Sequence, residues 1–135
     1  MQVIELQRYR RAYGDLLAGY AWTHFVTLTF ERQVSAAAAE DRFRLWIRRL
    51  HSVAGRRVDW FMVLETGGRS DNRHVHALLT NTEHIGAERL RAACTHSFSH
   101  EVRYDPARGA AHYLAKELGR EDCDYAFSPK LRRAA

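Results

Sequence analysis

Two short apolar segments joined by a run of turn residues constrain the fold of this chain more than any other feature. Residues 58–65 (VDWFMVLE) and 73–79 (RHVHALL) have the composition of strands. The seven residues between them, 66–72 (TGGRSDN), are glycine, serine, aspartate, asparagine and other turn formers. The two segments are therefore predicted to pair as an antiparallel hairpin.

Further helix and strand patterns flank this hairpin. Apolar residues recur at helical spacing in residues 2–17, 35–53, 86–95 and 108–118, with Ser35 as a possible N-cap and Gly119 as a C-cap. Strands are predicted for residues 22–30 and 98–104. The order predicts an α+β domain in which helices lie on one mainly antiparallel sheet. A length of 135 residues predicts a single domain, 1–135, with a polar tail, 120–135, frayed at its end and anchored by Tyr125 and Phe127.

Composition excludes several classes of protein. Apolar residues make up 46% and charged residues 27%, which is typical of a soluble globular domain. The two cysteines, Cys94 and Cys123, form no CxxC pair, so neither a disulfide scaffold nor a cysteine-based zinc site is expected. No apolar stretch reaches the roughly 18–20 residues that a membrane span needs. With no secretory signal pattern either, a cytoplasmic protein with reduced thiols is expected.

The charge balance favours an anionic partner, but only weakly. Twenty-one basic residues against 16 acidic ones give a net charge of +5. Nineteen of the basic residues are arginine, whose planar guanidinium binds phosphate oxygens two at a time. A GC-rich genome would produce the same arginine excess without any such function.

His74 and His76 form the sharpest local motif. Residues two apart on a strand project from the same face, so both imidazoles can share one divalent metal. Glu65, at the end of the partner strand, is the natural third ligand, and two histidines with one carboxylate leave coordination positions open for substrate. The alternative is a chance pair of histidines on a strand face that meets solvent.

Tyr113 and Lys116 form a second candidate pair, on the last predicted helix. Ala111, Leu114, Ala115 and Leu118 make a narrow apolar stripe, and the pair lies together on the opposite side. A lysine one turn from a tyrosine can hold a phosphate beside its hydroxyl. An ordinary surface tyrosine is the alternative.

Three motifs occur in a particular order: FVTLTF (25–30), then Glu65 with RHVHALL, then HYLAKEL (112–118). Over residues 25–118 the chain resembles the HUH-type Rep endonucleases, which initiate rolling-circle replication of small plasmids, phages and single-stranded DNA viruses. The resemblance implies a ferredoxin-like (split βαβ) fold with about five strands. It implies Mn²⁺ or Mg²⁺ bound by Glu65, His74 and His76, the nucleophile Tyr113, and Lys116 as its lysine. Position 117 is Glu, so a single-tyrosine enzyme is expected.

The expected activity is metal-dependent, sequence-specific nicking and rejoining of single-stranded DNA through a covalent 5′-phosphotyrosine. The expected partners are single-stranded DNA at a replication origin and a host helicase, with the protein a monomer or weak oligomer. Six arginines are predicted to line the DNA path: Arg42, Arg44, Arg48, Arg49, Arg69 and Arg73. Two alternatives remain open, a transposase of the same HUH type and a non-catalytic DNA-binding module of the same fold.

Overall fold

A computed structural model describes residues 3–30, 34–65, 73–94, 98–116, 120, 123–129 and 131. Within these residues the chain forms four α-helices, one 3₁₀ turn (Pro106–Arg108) and five strands. The helices are α1 (Val3–Ala18), α2 (Ala36–Ala54), α3 (Ala87–Ala92) and α4 (Ala110–Ala115). The strands are β1 (Trp22–Thr29), β2 (Trp60–Glu65), β3 (His74–Thr80), β4 (Phe98–Arg103) and β5 (Cys123–Phe127). No helix in the described ranges is both long and apolar enough to cross a membrane.

The strands form one antiparallel sheet in the order β4-β1-β3-β2-β5. Since β3 is antiparallel to both its neighbours, β1 and β2 are parallel to each other, with β3 between them and α2 as their connection. In the same way β3 and β4 flank β1 and are connected through α3. Two such split βαβ units make the ferredoxin-like arrangement, so the predicted fold class and the predicted hairpin are confirmed.

The two faces of the sheet are covered by different helices. Phe43 and Trp46 of α2 pack in a buried cluster that includes Leu90 of α3 and Val26 of β1. Leu17 of α1 and Leu114 of α4 pack in a second cluster, against Phe61, Val63 and Leu78. Because neighbouring strand residues point to opposite sides, α2 and α3 lie on one face, and α1 and α4 lie on the other.

The predicted boundaries of α2 hold because both ends carry capping residues. The Ser35 hydroxyl accepts a hydrogen bond from the amide of Ala38 at 3.0 Å. Gly55 ends the helix in the left-handed region, at φ 67°, where glycine carries no Cβ penalty.

Two elements differ from the sequence prediction. Residues 123–127, predicted as part of a polar tail, form β5 and pair with β2, with Tyr125 opposite Val63 and Phe127 opposite Phe61. The alternation in CDYAF is too short and too polar to indicate a strand without its partner. The last helix begins at Ala110 because a 3₁₀ turn precedes it, and its predicted stop at Gly119 lies outside the described residues.

A close contact fixes α4 against α1. Gly14 is buried, and a Cβ placed there would collide with the imidazole of His112. His112 in turn bonds through Nε2 to the Asp15 carboxylate at 2.9 Å. The approach of these two helices therefore depends on glycine at position 14.

We expect Gly14→Ala to destabilise the fold by about 1–2 kcal/mol, because the overlap outweighs the better helix propensity of alanine. In a His112→Ala background the collision is absent, and the same change should stabilise the fold by about 0.5–1 kcal/mol. Urea unfolding of the four proteins in this cycle gives both values. An identical effect in the two backgrounds would contradict the assigned contact.

Candidate active site

The two motif histidines lie side by side on β3. Their ring centroids are 6.0 Å apart with an interplanar angle of 19°, and both side chains are half-buried. His76 lies opposite Val63 of β2, so the pair belongs to the face that carries α1 and α4. The structure thus places both imidazoles on one face, as the spacing predicts.

Two threonine hydroxyls of β1 hold these imidazoles from the neighbouring strand. Oγ1 of Thr27 is 3.0 Å from Nδ1 of His76, and Oγ1 of Thr29 is 3.0 Å from Nδ1 of His74. The register produces both contacts, because it sets Thr27 opposite His76 and Thr29 opposite His74. With Nδ1 of each ring engaged by a hydroxyl, Nε2 is the nitrogen suited to ligate a metal. This donor set fits a divalent cation.

Glu65, the predicted third ligand, is described only in its backbone. It ends β2 one residue beyond Leu64, which lies opposite Val75, so its backbone comes next to that of His74. Among the side chains that the structure describes, no group of three acidic, histidine or cysteine residues could hold a metal. That finding does not include the Glu65 side chain, so the set Glu65, His74 and His76 stays a prediction.

A groove brings the histidine motif and the tyrosine motif together. It has a volume of about 430 Å³ and lies between the exposed part of β1 and β4 and the start of α4. Thr27, His76 and Tyr113 all line it, and these residues come from the first, second and third motifs of the sequence. Residues far apart in the chain therefore share one concave surface.

The local fold presents Tyr113 to this groove. The 3₁₀ turn ends at Gly109, whose φ of 69° lets the chain turn directly into α4. On α4, Ala111, Leu114 and Ala115 are buried, whereas Tyr113 is 53% exposed. Lys116 is also exposed, so both members of the predicted pair lie on the outer side of the helix. Leu118, the last residue of the predicted apolar stripe, lies outside the described residues.

A second tyrosine lines the groove in a different environment. Tyr104 is half-buried at the end of β4, and burial raises the pKa of its hydroxyl above the ordinary value. A raised pKa means that a smaller fraction of this hydroxyl is ionised to the reactive phenolate at a given pH. Of the two tyrosines in the groove, Tyr113 has the more exposed side chain and is the better placed to react.

None of the five predicted arginines that the structure describes lines this groove. Arg42, Arg44, Arg48 and Arg49 lie on α2, across the sheet from Tyr113. The Arg44 guanidinium binds Glu40 at 3.1 Å and lies over the Trp60 ring, and that of Arg49 donates to the carbonyl of Ala93. The Arg42 guanidinium lies 5.9 Å from the Phe30 ring centroid, and Arg73 donates to the carbonyl of Val34. Arg69 lies outside the described residues.

Four arginines outside the predicted set lie around α4. Arg103 and Arg108 line the groove itself. Arg10 and Arg11 of α1 share a separate furrow of about 320 Å³ with His112 and Lys116. The run RYRR at residues 8–11 is visible in the sequence, but only the packing of α1 on α4 brings Arg10 and Arg11 beside Lys116. The sequence also gave a reason to select Thr27 and Thr29 of FVTLTF. They are two residues apart, like the histidines, and therefore project from one face of their strand.

Comparison with known proteins identifies one family. The family model for the replication-associated protein ORF2 matches residues 23–122, which contain all three motifs. The search of curated proteins found no match. The search of solved structures found none either.

Proposed function

Because the chain belongs to the family of the replication-associated protein ORF2, we propose that it nicks and rejoins single-stranded DNA to initiate rolling-circle replication. The observation that carries this proposal is the groove in which Tyr113 and His76 meet. An exposed phenol that shares a groove with one of two aligned imidazoles suits phosphodiester transfer better than simple DNA binding, which would need neither group.

The proposed reaction is an in-line displacement at phosphorus. The Tyr113 oxygen forms a bond to the scissile phosphorus as the bond to the 3′ oxygen breaks. The phenol proton is lost to solvent, and the departing 3′ oxygen takes up a proton to become a hydroxyl. The product is a 5′-phosphotyrosine, and attack by a 3′-hydroxyl reverses the step and rejoins the strand.

Lys116 is proposed to assist this step at the phosphate. It follows Tyr113 by three residues, so the two side chains lie on neighbouring positions of the same helix face. Its ammonium group would bind a non-bridging phosphate oxygen and favour loss of the phenol proton. Lysine suits this role as a compact point charge.

His74 and His76, with Glu65, are proposed to hold Mn²⁺ or Mg²⁺. Such an ion would stabilise the negative charge that develops on the phosphate oxygens. The threonine hydroxyls would accept the Nδ1 hydrogens and so present each Nε2 in the neutral tautomer that binds a metal. The chemistry of the donors fits either ion, and imidazoles favour Mn²⁺.

Thr27→Val is expected to weaken Mn²⁺ binding about 10- to 100-fold, because it removes the hydroxyl that orients His76 while keeping the shape of the side chain. Titration calorimetry with Mn²⁺ measures the change. Thr23→Val is the matched control on the same strand, since its hydroxyl bonds to Leu79 and Thr82 and not to a motif histidine. Equal losses in the two variants would contradict the orienting role.

The phosphate backbone of the DNA is proposed to run along α1 and α4. Arg11 is exposed and lines the furrow that contains Lys116, so a strand whose phosphate is bound by Lys116 would pass close to Arg11. The α2 arginines lie on the far face and could reach such a strand only if it wrapped around the sheet edge.

Arg11→Gln is expected to reduce the slope of log binding constant against log salt concentration by about 0.7, the value for one phosphate contact with single-stranded DNA. Arg48→Gln, at an arginine of α2 that is also exposed, should leave the slope unchanged. Fluorescence anisotropy with a labelled oligonucleotide at several salt concentrations gives both slopes. A larger effect from Arg48 would place the DNA path on α2.

The proposed activity is tested with a randomised single-stranded oligonucleotide pool and Mn²⁺. We expect a DNA-linked protein that survives SDS and disappears when the divalent cation is chelated. Absence of any adduct, with every metal and pool tried, would instead support a non-catalytic DNA-binding module. Sequencing the linked DNA would then define the recognised site.

A further inference from the structure

Apolar side chains remain accessible within the groove beside Tyr113. Val102 of β4 is 37% exposed, and it lies directly opposite Phe25 of β1, which is half-buried. Both line the groove, together with Tyr104 and Ala110. Phosphate recognition needs no such surface, so an accessible apolar floor in a concave site indicates a ligand with an apolar face.

The aromatic ring in this floor has a defined orientation. Phe25 lies nearly parallel to the His76 imidazole, with an interplanar angle of 10° and ring centroids 6.2 Å apart. Its position between two neighbouring strands is fixed by pairing with Leu78 and Val102. A ring held in this way offers a ready surface for a flat ligand at low cost in conformational entropy.

The rim of the groove is charged where the floor is apolar. The Arg108 side chain is 76% exposed, and its Nε is 3.9 Å from the Asp105 carboxylate, too long for a strong ion pair. Arg103 lies at the same rim and donates to the carbonyl of Glu83. The apolar floor suits the flat face of a base, and the cationic rim suits a phosphate, so the groove matches the two parts of one nucleotide.

We infer that this groove binds one unstacked nucleotide next to the scissile phosphate, with its base against Phe25 and Val102 and its phosphate at Arg108. The volume of about 430 Å³ admits one nucleotide unit and not a stacked run. This inference rests on the proposed function for the identity of the strand. It adds that bases, and not only backbone charge, contribute to binding, and that the contribution comes from this groove.

The test compares two oligonucleotides of equal backbone charge, (dT)12 and a wholly abasic 12-mer. Anisotropy measurements in EDTA keep any bound divalent cation out of the comparison. We expect wild-type protein to prefer (dT)12 by about 5- to 150-fold, the range for stacking of a single base on an aromatic side chain. Phe25→Leu should bring this preference close to one.

Phe127→Leu is the matched control. Phe127 is also half-buried against the same apolar cluster, but it lies on β5 and does not line the groove. Val102→Ser, at an exposed edge-strand position, is a second variant that should lower the preference without touching His76. Val3→Ser, at an exposed valine of α1, is its control.

Three results would overturn the inference. The first is equal affinity of the wild-type protein for the two oligonucleotides. The second is an equal loss of preference in Phe25→Leu and Phe127→Leu. The third is a Phe25→Leu variant that binds both oligonucleotides more weakly but keeps the wild-type preference. Adduct formation is measured separately, so failure of the nicking proposal is distinguishable from failure of the base-binding groove. A protein that prefers (dT)12 through Phe25 yet forms no adduct would support the groove and refute the nicking activity.

Discussion

Replacing Tyr113 by phenylalanine is expected to abolish the covalent protein–DNA adduct, reducing its rate of formation by at least about a thousandfold, because no nucleophilic oxygen remains at the scissile phosphate. The side chain is 53% exposed, so the fold should be unaffected. Single-stranded DNA binding should change by less than about threefold, since the aromatic ring is retained. Denaturing gel electrophoresis of reactions with labelled oligonucleotide measures the adduct.

Two other tyrosines are the matched controls for this change. Tyr104 lines the same groove, and Tyr125 is exposed on β5. Tyr104→Phe and Tyr125→Phe each remove one hydroxyl, and both variants should form the adduct at close to the wild-type rate. Loss of the adduct in Tyr104→Phe, with its retention in Tyr113→Phe, would reassign the nucleophile. That outcome runs against the raised pKa of Tyr104, which disfavours its reactive phenolate.

Local patterns were sufficient to predict most of the sheet. Strands β1 to β4 have apolar or alternating segments bounded by turn residues, and the short turn-rich connection fixes the β2–β3 hairpin. Strand β5 could not be predicted in this way, because CDYAF is stabilised by its pairing with β2 and by contacts of Tyr125 and Phe127 with Phe61. Its stability is a property of the assembled sheet and not of the segment.

The components of the candidate site were predictable, but their meeting point was not. Spacing alone places His74 and His76 on one face and Tyr113 opposite the apolar stripe of its helix. Tyr113 and His76 line one groove because α4 packs on the face of the sheet that carries the histidines. Gly14 of α1 permits this packing, since it leaves room for the His112 imidazole. The α2 arginines illustrate the same limit, since their abundance was visible whereas the face on which α2 packs was not.

Removing both motif histidines is the second change with a large expected effect. His74→Ala combined with His76→Ala should lower Mn²⁺ affinity by more than about a hundredfold, since each lost ligand costs more than the loss of a supporting hydrogen bond, for which 10- to 100-fold is typical. Adduct formation should fall with it, because charge on the phosphate oxygens would no longer be stabilised. Calorimetric titration with Mn²⁺ and adduct rates over a range of Mn²⁺ concentrations measure the two effects.

The design of this experiment separates a metal site from a merely structural histidine pair. His84→Ala is the control, because His84 is an exposed imidazole that bonds to the Ala54 carbonyl and to Arg56 and does not line the groove of Tyr113. If the double variant keeps its Mn²⁺ affinity while losing the adduct, His74 and His76 act on the DNA directly and the ion lies elsewhere. If it keeps both, the threonine-held imidazoles serve only to pack β1 against β3. The ion is assigned to this pair only if the double variant loses both Mn²⁺ affinity and the adduct. His84→Ala should then show neither loss, and Thr27→Val should show part of the loss in Mn²⁺ affinity.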